Sequence, residues 1–224
     1  MFGLDEQLAS IGDGSAFALV LVVAILLGLR HATDPDHLTA VSTLVAGAER
    51  DARGAAGLGL AWGAGHATSL LTFGVPIVLF RAYLPHPVQM GAEAAVGVVI
   101  VVLALRLLAR WRSGELRHAH AGGARSRRQA YAIGLVHGMG GSAGVGVLLL
   151  AAIPGHAEAL AALALFAACT ALSMAAASTT LGVVLTRDAV AQRHLALAPA
   201  LGVLSLAFGL WYALGAVDAV PYVF

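Results

Sequence analysis

His31, Asp36 and His37 fall within seven residues of one another in the run Gly28-Leu-Arg-His-Ala-Thr-Asp-Pro-Asp-His-Leu-Thr-Ala-Val41, with uncharged sequence on both sides. Each ionisable group held at membrane depth costs roughly 2.5 to 3.5 kcal/mol on insertion scales, so a cluster of them there has a use. Imidazole nitrogen and carboxylate oxygen are the donors that nickel, cobalt or zinc would take. Asp34 adds a second carboxylate, and two more histidines lie in apolar surroundings: His66 in Trp62-Gly-Ala-Gly-His-Ala-Thr-Ser69, and His137 in His137-Gly-Met-Gly-Gly-Ser142. The candidate metal ligands are thus His31, Asp34, Asp36, His37, His66 and His137, with Thr33, Ser69 and Ser142 as accessory donors. His31, Asp36 and His37 form the tightest group. Each also has an ordinary use: a lone His66 or His137 can bond a neighbouring helix, Asp34 can cap one, and Arg30 can neutralise Asp34 or Asp36.

The premise of membrane depth comes from composition. Of 224 residues, 59% are hydrophobic and only 11% charged, more apolar than a soluble domain requires. Uncharged runs from Gly54 to Phe80, Gln129 to Ala157, Ala159 to Thr186 and His194 to Val217 are each long enough for a spanning helix, and another fits Val88 to Ala109. Asp5 and Glu6 precede the first apolar stretch and no basic residue does before Arg30, so that stretch reads as a retained span. The expected fold is all-α and polytopic, one integral membrane domain over residues 1–224 in the plasma membrane.

All 13 basic residues are arginine. Arg50 and Arg53 mark one cytoplasmic loop, seven arginines from Arg106 to Arg128 a second, and Arg187 with Arg193 a third, while Arg81 alone falls in an outer loop. With a net charge of +1, these are topology markers and imply no nucleic-acid partner. Trp111, Tyr131 and Tyr83 suit the membrane interface. His118 and His120 lie in the arginine-rich loop as solvated residues, and His86, His156 and His194 read as interface residues.

Between Ser15 and Gly47 the chain must cross from an outer N-terminus to Arg50. A helix of that length would be about 50 Å long against a hydrocarbon core of about 30 Å. Pro35 supplies the break, with Asp34 as N-cap and Pro35 as the first residue of a new half-helix. A discontinuous helix is a pointer to a transporter's binding site. Gly28-Leu29-Arg30-His31 recurs as Gly134-Leu135-Val136-His137, and each copy opens a unit of three apolar segments. The expected architecture is therefore six to seven transmembrane helices in a 3+3 inverted repeat with a broken first helix: residues 15–110, a basic loop at 111–129, and residues 130–218. Glycines Gly59, Gly63, Gly140 and Gly144 are expected to serve close helix packing.

The spelling His-x4-Asp-His from His31 to His37, within Arg-His-Ala-Thr-Asp-Pro-Asp-His-Leu, resembles the signature of the nickel/cobalt transporter family. Gly65-His66-Ala67-Thr68 is similar to that family's second, histidine-containing segment, so the resemblance covers roughly residues 28–75. It departs at His137-Gly-Met-Gly-Gly-Ser-Ala143, where typical members carry an Asp-Thr-Ala-Thr-Glu type segment; this stretch looks more like the shorter urease-accessory or exporter-like permeases. The resemblance implies eight spans, an inner N-terminus and the motif in the second span, against the count and orientation from charge. It further implies a link to urease or hydrogenase metallation.

The expected function is transport of a divalent transition-metal ion, nickel or cobalt, by alternating access at a midplane His/Asp site, with no enzymatic activity. The ion is the transported substrate and no resident cofactor is expected. Partners are the ion, the bilayer and a second copy of the chain or that metallation pathway. Neutral imidazoles bind metal, so affinity should fall as pH drops through about 6.5. A permease for a small anion such as sulfite is the main alternative, since Arg30 and half-helix N-termini suit an anion; the spacing of Asp34 and Asp36 opposes it. Gly140-Gly-Ser142-Ala-Gly144 matches a serine-nucleophile pattern, but its strand-turn-helix setting is absent from an all-helical chain. A thiol-disulfide carrier is excluded, because Cys169 is the single cysteine.

Overall fold

The break predicted at Pro35 is present, and it sets the geometry of everything around it. The computed structural model describes residues 4–46, 52–81, 85–117, 126–138, 140, 142–186 and 194–221. Tyr83, His118, His120, Arg50, Arg125, Arg187 and Arg193 lie outside them. Among the described residues there are eight α-helices and no strand: α1 (Leu4–His31), α2 (Pro35–Ala46), α3 (Ala52–Phe80), α4 (His86–Arg112), α5 (Arg127–His137), α6 (Ser142–Ala151), α7 (His156–Thr186) and α8 (His194–Ala216).

The amides of Thr33 and Asp34 close α1 on the carbonyls of Arg30 and His31, at 2.8 and 3.2 Å, and the Leu38 amide then donates to the Asp34 carbonyl at 2.9 Å. Asp34 is thus the N-cap of α2 and Pro35 its first residue, where a missing N–H costs nothing. The two segments, Phe17–His31 and Pro35–Thr43, meet at 45°.

Among the described residues four helices are long and apolar enough to cross a bilayer, and the bent α1–α2 pair makes a fifth. The run from Gln129 to Ala157, read as one span, is instead two short helices of 11 and 10 residues. The sequence between them, Gly138-Met-Gly-Gly141, explains the difference, because three glycines in four residues weaken a helix that no neighbouring propensity restores. Among the described residues the candidate spans therefore number four, or five with the bent pair, against the six to seven expected, and α5 and α6 are each too short to cross alone. The protein is an all-α polytopic membrane protein whose outer surface is leucine, valine and phenylalanine, with Leu19, Leu26, Leu60, Phe80 and Leu204 all exposed.

Helix α3 packs on α5, α6 and α7, while α7 packs on α1, α2 and α3, and α4 packs on α8. Exchanging the two halves of the chain converts the principal contacts of α3 into those of α7; α7 also packs on α6, and α2 on α4 and α8, outside this correspondence. Glycine makes the approaches possible. A Cβ on Gly134 would strike the Trp62 carbonyl oxygen of α3, and one on Gly28 would lie 2.7 Å from the Phe166 carbonyl oxygen of α7. These are equivalent positions of the Gly28/Gly134 repeat. Gly59 and Gly63 hold α3 against Ser178 and Ala171 of α7, as expected of small-residue packing. A Cβ on Gly140 would lie 3.2 Å from Glu93, whereas one on Gly144 would meet nothing within 4 Å.

Candidate metal centre

His31 is the last residue of α1 and His137 the last residue of α5. Each terminates a helix at a break, three residues after a glycine that brings its helix against α7 or α3. His37 stands in the first turn of α2, and His66 lies at the middle of the 29-residue α3, which puts the meeting point about halfway through the membrane. All four imidazoles are buried, none more than 3% exposed.

His31 Nε2 and His66 Nε2 are 3.0 Å apart. The ring centroid of His37 is 4.4 Å from that of His31, 5.1 Å from that of His66 and 4.7 Å from that of His137. Asp36 joins the group through both oxygens, with Oδ1 3.1 Å from His37 Nδ1 and Oδ2 3.4 Å from His137 Nε2. Two overlapping triads result, His31/His37/His66 and Asp36/His37/His137, and within each the donor atoms lie within 4.8 Å of one another. His37 belongs to both. A tetrahedral ion with bonds of about 2.0 to 2.2 Å holds its donors roughly 3.3 Å apart, so these spacings need only small adjustments to close on one.

Buried polar atoms are ordinarily hydrogen-bonded. Here His37 Nε2, His66 Nδ1, both nitrogens of His137 and Asp36 Oδ2 have no hydrogen-bond partner. Each neutral imidazole offers one ring nitrogen with a lone pair, and such a lone pair without a hydrogen bond at membrane depth is what a cation would satisfy. Trp62 packs its ring on His37 and His137, at 5.6 and 5.7 Å, and Phe166 lies 5.8 Å from His31, closing the cluster with apolar faces.

Of the six predicted ligands, His31, Asp36, His37, His66 and His137 are brought together. Asp34 is set behind them, with Oδ2 3.2 Å from His31 Nδ1 and Oδ1 3.7 Å from the Arg30 guanidinium, so it orients a histidine. Among the accessory donors, Thr33 is exposed and donates to the Arg30 carbonyl at 2.6 Å, away from the cluster. Ser69 donates to the Leu135 carbonyl at 2.5 Å and ties α3 to α5. The Ser142 side chain lies outside what is described. Tyr131, expected as an interface anchor, donates its hydroxyl to Thr68 at 3.0 Å.

Two features escaped the sequence reading. Only an N-terminal helix end was foreseen at the site, with a field unfavourable to a cation, yet the C-terminal ends of α1 and α5 also converge there and their partial negative charge favours one. The other is Thr170. On α3 the pair Trp62 and His66 surrounds Gly134, and on α7 the pair Phe166 and Thr170 surrounds Gly28 in the same way. Thr170 is the counterpart of His66, fully buried, and its hydroxyl has no partner. The matching four-residue spacing of aromatic and polar residue was the available signal.

No family model matches the chain, and no solved structure does. Over an alignment of 211 residues, covering 86% of this chain and 90% of the relative, it is 29% identical to the urease accessory protein UreH of Bacillus sp. (strain TB-90). The chain with this buried His/Asp cluster is therefore similar, across most of its length, to a urease accessory protein.

Proposed function

We propose that the chain carries a divalent transition-metal ion, nickel or cobalt, across the plasma membrane, binding it at His31, Asp36, His37, His66 and His137. The observation that carries this reading is the set of four buried imidazoles, four of whose ring nitrogens make no hydrogen bond, and the Asp36 carboxylate, facing one another at one point along the membrane-spanning helices. The ion is cargo and the protein is no enzyme. Imidazoles and Asp36 replace part of its water shell, while two helix C-termini offset the remaining charge. The broken segments, α1–α2 and α5–α6, divide the ligands between the two halves of the chain, so movement of residues 15–110 against residues 130–218 would present the site to each side in turn.

The similarity to a urease accessory protein supports nickel, the metal of the urease metallation pathway to which the chain would then belong. A carboxylate set among imidazoles opposes the anion reading, and Arg30, its one cationic support, is engaged by Asp34. The test is thermal shift of the purified protein with nickel, cobalt, zinc and sulfite. A shift with nickel or cobalt, lost in His31→Ala and His37→Ala, is the expected result. A shift with sulfite alone would overturn it.

A further inference from the structure

Arg30 is an expensive side chain to hold on the outer surface of this protein. It precedes His31, whose Nε2 touches that of His66 at the middle of α3, so it lies at the depth of the cluster. Its side chain is nevertheless 73% exposed. An arginine near the bilayer centre relieves its cost by reaching for the membrane surface, but this one turns to Asp34, 3.7 Å away. The backbone beside it makes the same demand. Between α1 and α2 the chain leaves the helix, with Thr33 and Pro35 exposed on its outer side. Non-helical backbone at membrane depth is tolerated only inside protein or along a water-filled cavity, never against lipid. Two independent constraints thus require water on the outer side of this break.

We propose that this side of the α1–α2 break is the water-filled mouth of the ion path, and that Arg30 holds Asp34 until an arriving cation displaces it. The proposal takes its ion from the function above, while the mouth itself rests on exposure and depth. A divalent ion in the cluster meets the Asp36 carboxylate directly. Asp34 is one step outward, 3.2 Å from His31 Nδ1, so it is the first anionic group met from the mouth. With Arg30 in place that carboxylate is neutralised; once the guanidinium leaves, Asp34 and Asp36 together match the charge of the ion. The resident cation therefore keeps the pathway balanced when no metal is present.

The test uses the full chain with Cys169→Ala as background, in right-side-out and inside-out vesicles, and a sulfonated, membrane-impermeant maleimide as probe. Thr33→Cys and, as a second position, Pro35→Cys are expected to label from one side at least about tenfold faster than Leu26→Cys, which sits on the lipid-facing surface of α1. Labelling of both at the Leu26→Cys rate from both sides overturns the mouth, as does disulfide crosslinking of Thr33→Cys to a second copy in place of labelling. Arg30→Gln is expected to lower the nickel concentration that gives half the thermal shift, and a raised concentration would overturn the displacement by the ion. Fast labelling in a protein that responds to no metal would sustain the mouth while ending the metal reading.

Discussion

His31 and His137 occupy the same place in the two halves of the chain: each is the final residue of a helix at a break, and their rings flank that of His37 at 4.4 and 4.7 Å. Neither motif alone brings them together. Their meeting follows from Gly28 and Gly134, which let α1 and α5 lie against the backbones of α7 and α3.

Because His37 belongs to both triads, it should be the most sensitive of the proposed ligands. His37→Ala is expected to abolish the nickel-induced thermal shift, whereas His66→Ala and His137→Ala, each removing one member of one triad, should leave weakened binding, by at least the about ten- to a hundredfold that loss of a ligand's outer partner costs. Nickel titrations followed by thermal shift would order the three. Equal losses would mean that the triads act as one rigid unit.

Protons compete with metal for imidazole. Because the neutral form binds, nickel affinity should fall as the solution is acidified, with protons taken up as metal leaves. Titration between pH 8 and pH 5 reads this directly. Constant affinity across that interval would argue against histidine ligation.

Gly134→Ala and Gly144→Ala should separate packing from propensity. The first places a methyl group on the Trp62 carbonyl oxygen, so α5 must retreat from α3 at a cost of about 1 to 3 kcal/mol, and His137 moves with it. The second meets nothing within 4 Å and replaces a flexible residue inside a helix, a gain of about 0.5 to 1 kcal/mol. Thermal denaturation in detergent should show shifts of opposite sign, with the nickel response reduced only in Gly134→Ala.

Thr170→Val is nearly isosteric and removes a fully buried hydroxyl that has no partner. Loss of an unsatisfied polar group is neutral or stabilising for the empty protein. If the hydroxyl serves the ion, as its equivalence to His66 indicates, nickel affinity should fall several-fold while the metal-free melting temperature holds or rises. Unchanged affinity would assign Thr170 to helix packing.

The broken helix was legible at Pro35 because proline acts locally: it removes a donor and restricts the residue before it, whatever surrounds it. The membrane class, the spans at α3, α4, α7 and α8, and the residue types of the five side chains that cluster were likewise written in the sequence. The second break was not, since Gly138, Gly140 and Gly141 permit a turn without demanding one, and an uncharged run long enough to cross looked continuous. The placement of Asp34 behind His31, and the diversion of Ser69 to the Leu135 carbonyl, depend on which side chains meet across helices distant in sequence. Sequence alone determined that ionisable groups sit where lipid forbids idle charge. Only the folded chain decided which of them share one space, because hydrogen-bond reach is a few ångströms, and glycine-mediated contact between α5 and α3, and between α1 and α7, is what brings them within it.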